Sequence, residues 1–150
     1  MKKRIIGIMA MTMTMATNVQ AQGVQDKVAG KENLPLAEKW DKTFHRSDKV
    51  EHEKVTFVNR FGITLAADVY RPIGQEGPLP ALAVSGPFGA SKEQSSGLYA
   101  MKMAERGFIT CAFDPSFTGE SGGVPRAAAS PDINTEDFLA AVDYLSGLDG

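Results

Sequence analysis

The sequence predicts an α/β fold built on a mixed sheet, and three patterns predict it. Lys54–Asn59 and Ile63–Tyr70 alternate apolar and polar residues on either side of a short turn, the period of an antiparallel hairpin. Ala81–Val84 and Phe108–Phe113 are continuous apolar runs flanking one helical segment, as strands buried on both faces and joined by a right-handed crossover should be. Phe138, Ala141, Val142 and Leu145 recur at helical spacing near the end of the chain.

Residues 1–21 read as a secretory signal that is cleaved away from this fold. Lys2, Lys3 and Arg4 form a basic start, Ile5–Ala16 a modestly apolar run, and Val19-Gln20-Ala21 a cleavage site. The run is broken by threonines and falls short of the roughly 20 residues a membrane span needs. The protein is therefore expected to be exported, periplasmic or secreted, with Gln22 as its mature N-terminus and no membrane contact after cleavage. Residues 22–53 are charge-mixed, with Trp40 and Phe44 as their main large apolar groups. They predict an N-terminal segment and linker with a short helix near Leu36–Lys42. Residues 54–150 then form the domain proper.

Within that domain, Asn59-Arg60-Phe61-Gly62 is the hairpin turn, and Arg71-Pro72 ends the second strand because proline cannot donate to a ladder. Gly74–Pro80 is a loop. Ser91-x-x-Gln94 has the capping-box pattern, which can start a helix near Ser91 and run it through Leu98, Met101 and Ala104 to Gly107; Ser95–Arg106 is the helix expected between the two parallel strands. Ser116–Ala129 is a loop of mostly small residues. Asn134 or Thr135 is the expected cap of a last helix through Ser146, with Gly147 closing it.

Charge narrows the partners. Removing Lys2, Lys3 and Arg4 with the signal reduces the 16 basic residues to 13, against 18 acidic ones. A net-negative chain without a basic stripe argues against nucleic acid as a partner. The single cysteine, Cys111, forbids an intramolecular disulfide, so an exported protein of this kind must rely on its apolar core. No HExxH, paired Cys/His spacing or Walker lysine occurs, so neither a metal nor a cofactor is expected.

Two stretches carry chemistry. Ser85-Gly86-Pro87-Phe88-Gly89 follows a buried strand. Backbone N–H groups in such a turn can stabilise the oxyanion of a tetrahedral intermediate, and glycines let the backbone approach the substrate. Further on, Gly119-Glu120-Ser121-Gly122-Gly123 matches G-x-S-x-G. A nucleophile elbow needs a strand directly before the first glycine and a helix directly after the serine. Here Pro115–Thr118 intervene and Gly122, Gly123 and Pro125 follow, so Ser121 is read as non-catalytic.

From Lys54 to Gly150 the chain resembles the α/β-hydrolases. The resemblance is strongest to the dienelactone hydrolase and Xaa-Pro peptidase-like esterase group, where a G-P-F-G-x-x-K-E-Q type turn leads the first helix. It implies a three-layer sandwich, incomplete here, that hydrolyses an ester, lactone or amide through an acyl-enzyme without a cofactor. The substrate would be a small-molecule ester, lactone or peptide-like compound. By resemblance the oxyanion donor lies just after Ser85-Gly86; Pro87 has no N–H, leaving Phe88 first and Gly89 second. The family's Ser or Cys nucleophile, carboxylate and His come later than Gly150, so this chain alone is expected to be inactive. Asp114 is implied to organise the loop that follows it. His45 and His52 precede the sheet, out of order for the family's base, and read as solvated. Cys111 reads as a packed core residue, and Lys92, Glu93 and Gln94 as helix-start residues. Two alternatives stay open. One is a Rossmann-like binding module, since a glycine turn follows one strand and Asp114 ends the next, although G-x-G-x-x-G spacing is missing. The other is a non-enzymatic exported interaction domain.

Overall fold

A computed structural model of the protein describes residues 31–75 and 77–148. The predicted signal and residues 22–30 lie outside the described residues. In chain order the elements are β1 (Val50–Val58), β2 (Thr64–Pro72), β3 (Ala81–Val84), α1 (Ser95–Ala104), β4 (Ile109–Phe113) and α2 (Pro131–Ser146). The four strands form one sheet in the order β1-β2-β4-β3.

β1 and β2 are antiparallel, from Val50 opposite Pro72 to Val58 opposite Thr64. Their turn is built by Asn59, whose Oδ1 accepts from the backbone N–H of Phe61 and of Ile63, both at 3.0 Å. Gly62 follows at φ 77°, a backbone conformation open to glycine at little steric cost. β3 and β4 are parallel, with Ala81 opposite Ile109 and Val84 opposite Ala112, and α1 makes the crossover between them. β2 and β4 pair antiparallel through Ala67 and Phe113, which joins hairpin and crossover into the mixed sheet the sequence predicts.

Period-two alternation divides the core between the two sheet faces. Phe57, Leu65, Ala67, Val69, Ile109, Cys111 and Phe113 face α2 and pack on its Ala141 and Leu145. Val50, Tyr70 and Ala112 face the other way, onto Ala100, Met101 and Ala104 of α1, with Trp40 and Phe44 against them. Each large apolar side chain so buried contributes about 1.5–3 kcal/mol. The result is three layers: α2, sheet, α1.

The structure differs from the sequence reading at several places in the fold. Leu36–Lys42 is not helical. Long-range contacts take its polar groups: the Ala37 N–H donates to Glu120 Oε1 at 2.7 Å, and the fully buried Lys42 ammonium pairs with Asp68 at 2.9 Å. Such contacts override a weak local propensity. β1 begins at Val50 rather than Lys54, because β2 continues through Arg71 and Pro72 and offers it partners. β3 is half-buried, not buried on both faces, since it occupies a sheet edge. α1 starts at Ser95: Gln94 does reach back toward the Ser91 N–H (3.4 Å), but the next amide, that of Lys92, is held by Asp114 at 2.8 Å. α2 starts at Pro131, with Ser130 at the N-cap, because proline at the first helical position forfeits no hydrogen bond. Its buried residues are Asp137, Ala141 and Leu145, whereas Phe138 and Val142 are 43% and 49% exposed.

Candidate active site

β3 and β4 run parallel, so the segments that follow them leave the same edge of the sheet. Ser85–Ala90 follows β3 and Asp114–Ala129 follows β4. Between them lies a cavity of about 110 Å³, lined also by Asn134 and Phe138 of α2. In the first segment the Ala90 N–H donates to the Pro87 carbonyl at 3.0 Å, and Gly89 sits at φ 83°. This is a type II turn, which demands glycine at its third position. The Phe88 side chain is 76% exposed. Among the described residues neither the Phe88 nor the Gly89 amide donates to a protein acceptor. The turn therefore presents unspent N–H groups beside the cavity. Gly86 precedes it where a Cβ would lie 3.1 Å from the Ala90 methyl.

The second segment is anchored by two fully buried carboxylates. Asp114 Oδ1 accepts from the Lys92 amide at 2.8 Å. Its Oδ2 accepts from the Lys92 ammonium and the Glu120 amide, each at 2.9 Å. Burial pushes the Asp114 carboxyl upward, while Lys92 and the two backbone amides pull it back. All three neighbours are donors, so the carboxylate is the form this geometry holds. Burial alone would lower Lys92, but the Asp114 charge and hydrogen bonds to Glu120 and Glu93 outweigh it and hold the ammonium above its ordinary value. Asp137 anchors the same segment from α2, accepting from the Ser116 amide at 2.7 Å, the Ser116 hydroxyl at 2.8 Å and the Asn59 side-chain amide at 2.7 Å. Between these anchors Phe117 and Ala127 adopt φ 73° and 57°, and the Ala127 N–H donates to the Phe117 carbonyl at 2.9 Å. Left-handed non-glycine residues cost on the order of 1–3 kcal/mol each and persist only where the surroundings enforce them.

The Lys92–Asp114 pair belongs to a larger ion cluster. Glu120 Oε2 meets Lys92 at 2.7 Å and Lys54 at 2.8 Å. Asp41 meets Lys54 and Lys42, both at 2.6 Å. Burial would raise Asp41, but hydrogen bonds from Lys42 and Lys54 win and hold it down at about 2. Lys42 also lies 2.9 Å from Asp68 Oδ2, an ion pair whose angle falls short of a hydrogen bond. Asp41, Glu93 and Glu120 bring one oxygen each within 4.8 Å of one another, a spacing that can suit a cation. The three lysine ammonium groups already supply the positive charge there.

The other sequence-level candidates fall outside the cavity wall or behind it. Ser121 is 2% exposed. Its hydroxyl donates to the Asp114 carbonyl at 2.7 Å and accepts from the Ala66 amide at 2.8 Å, so it ties loop to strand. Cys111 is buried in the core, and burial followed by the nearby Asp68 charge pushes its thiol up to about 12. His45 is exposed. His52 is not solvated: its Nε2 meets Asp68 Oδ1 at 2.8 Å, and its ring lies against Trp40 and Tyr70 at centroid distances of 5.1 and 5.0 Å. The sequence reading missed Lys92 and Asp137 as anchors. Asp137 did carry a signal, since it stands four and eight positions before Ala141 and Leu145. Lys92 carried only its place in the G-P-F-G-x-x-K-E-Q stretch, which does not disclose an anchoring role because its partners are distant in sequence.

Sheet order, crossover helix and facing strand-end turns define an α/β-hydrolase, and the dinucleotide-module alternative gives way to it. The α/β-hydrolase GrgF from Penicillium sp. sh18 matches with a TM-score of 0.60 and 27% identity, over 66% of this chain and 33% of that one. More particularly, residues 62–149 match the X-Pro dipeptidyl-peptidase (S15) family, and the chain belongs to that family. Protein PA2218 of Pseudomonas aeruginosa is 70% identical over 114 residues, 75% of this chain and 31% of the relative. Its crystal structure matches with a TM-score of 0.77 at 68% identity, over 79% of this chain and 37% of that one. Protein YcjY of Escherichia coli is 45% identical over 101 residues, 65% of this chain and 33% of the relative. The chain thus spans about a third of the length of the curated relatives it matches.

Proposed function

We propose that this chain supplies the oxyanion-stabilising side of an exported acyl-transfer hydrolase acting on a small ester, lactone or peptide-like substrate. One observation carries the reading: the unspent amides of Phe88 and Gly89 stand beside a small cavity in a chain of hydrolase family. Donors fixed before the reaction begins stabilise a developing oxyanion without reorganising. The nucleophile, acid and base come from outside this chain, so residues 1–150 alone turn over no ester. Export rests on the basic start, apolar run and cleavage site of residues 1–21.

The test is Phe88→Pro in the complete gene product that carries this chain, assayed on p-nitrophenyl acetate. Proline suits the second position of a type II turn and removes the N–H, and the aromatic side chain lost with it is largely exposed. Loss of one oxyanion donor should lower kcat by about 10²–10³. An unchanged kcat refutes the assignment to Phe88. Steady turnover by residues 22–150 alone refutes the division of labour.

A further inference from the structure

We propose that Lys92 is a positioning residue that couples the Ser85–Ala90 turn to the Asp114–Gly123 loop, so that both walls of the cavity move as one body. The inference deepens the oxyanion reading of the turn and rests on it. Lys92 grips Asp114 twice, with its main-chain N–H on Oδ1 at 2.8 Å and its ammonium on Oδ2 at 2.9 Å. The Glu120 amide donates to the same Oδ2 at 2.9 Å, and Glu120 Oε2 returns to the Lys92 ammonium at 2.7 Å. Lys92, Asp114 and Glu120 therefore form a closed ring of charge-assisted bonds between two otherwise separate loops. A lysine in the turn before a helix is ordinarily solvated, but Lys92 is 1% exposed.

Two glycines keep the ring open to backbone approach. A Cβ on Gly97 would fall 2.1 Å from the Lys92 carbonyl oxygen, and one on Gly119 would fall 2.1 Å from Asp114 Oδ2. The N-terminal segment braces the ring from outside. The Thr43 N–H and hydroxyl both donate to the Glu93 carbonyl, at 2.9 and 3.1 Å, and the Ala37 amide donates to Glu120 Oε1 at 2.7 Å. Removing the ammonium would leave Asp114 as a buried charge held by two amides, and would cut the bond from Lys92 to Glu120 at the far end of the loop. Both loops should then loosen together.

Amide hydrogen exchange on the full chain tests this with Lys92→Met and Glu120→Gln. Lys92→Met removes the ammonium bonds to Asp114, Glu120 and Glu93 and should speed exchange in segments 85–94 and 114–123 together by at least about tenfold, the loss expected of a single charge-assisted hydrogen bond. Segments from β1 and β2 should stay as in the parent. Faster exchange in only one of the two segments, or in neither, overturns the proposal. If Lys92→Met raises exchange everywhere, the milder Glu120→Gln, at a partly exposed side chain, decides by the same criterion. In the complete gene product, Lys92→Met should lower kcat more than it raises KM, as misplaced donors would; a change in KM alone overturns the positioning role. A parent protein without esterase turnover would refute the proposed function and leave the exchange result to judge the coupling by itself.

Discussion

Replacing Asp137 with alanine should be among the most damaging single changes in this chain. Its carboxylate is fully buried and accepts three hydrogen bonds, from the Ser116 amide, the Ser116 hydroxyl and the Asn59 side chain. The three donors do not suffer equally. The Ser116 hydroxyl can rotate, and Asn59 Nδ2 keeps a second acceptor in Ser116 Oγ at 3.2 Å. Among the described residues the Ser116 N–H has no other acceptor, and it would be stranded in the interior. A stranded buried donor costs about 1–3 kcal/mol, and the lost charge-assisted bonds add to it, so about 3–5 kcal/mol is expected in total. That is a large share of the roughly 5–15 kcal/mol that holds an ordinary domain together. Urea denaturation followed by the fluorescence of Trp40, the single tryptophan, measures it. Asp132→Ala is the control, because Asp132 is an exposed acid in the first turn of the same helix and should lose only about 0.3–1 kcal/mol of helix-dipole stabilisation. Equal losses for the two variants would show that Asp137 is not the anchor its hydrogen bonds describe.

Ser121→Ala should destabilise by about 1–3 kcal/mol, because the buried Ala66 amide loses its acceptor, and should leave kcat of the complete gene product unchanged; loss of kcat in a folded variant would make Ser121 a reacting residue. Acid should weaken the ion cluster: Asp41 is lowered from 3.8 to about 2, so its contribution is present above pH 3.8 and is lost as pH falls toward 2. Lys54 and Lys92 are raised above 10.5, so theirs is full below that value and is lost in stronger base. Asp114, raised by burial, acts in the opposite sense and partly offsets the acid loss. A denaturation midpoint that rises steadily from neutral pH to pH 2 would contradict this balance. N-terminal sequencing of the exported protein should begin at Gln22, and an intact Met1 on an exported product would refute cleavage there.

What the sequence made legible was whatever depends on near neighbours. β3, the crossover helix and β4 were readable because apolar runs and a terminal glycine are local signals. The turn at Phe88 and Gly89 was readable because Pro87 and Gly89 restrict and permit backbone conformations by themselves. What stayed hidden depends on partners far along the chain. Lys92 meets Asp114 and Glu120 across 22 and 28 positions, and Lys42 of the N-terminal segment reaches Asp68 in β2. In the α2 stripe Ala141 and Leu145 are buried as read, while Phe138 yields its place to Asp137 and Val142 turns outward, for a related reason. Phe138 and Val142 outrank Asp137 on any hydropathy scale, and only the three donors waiting below the helix make a buried aspartate the better fit.

The sheet order leaves β1 and β3 at its two margins, and these differ in character. β1 carries exposed Glu51 and Glu53 along its length, charges that discourage another backbone from pairing there. β3 is Ala81-Leu82-Ala83-Val84, short and without a charge. One margin is thus guarded and the other is permissive, so any lateral growth of the sheet, by further chain or by self-association, is directed to the β3 side. That is also the side from which the Phe88 turn emerges, and a strand added there would come to lie next to the amides.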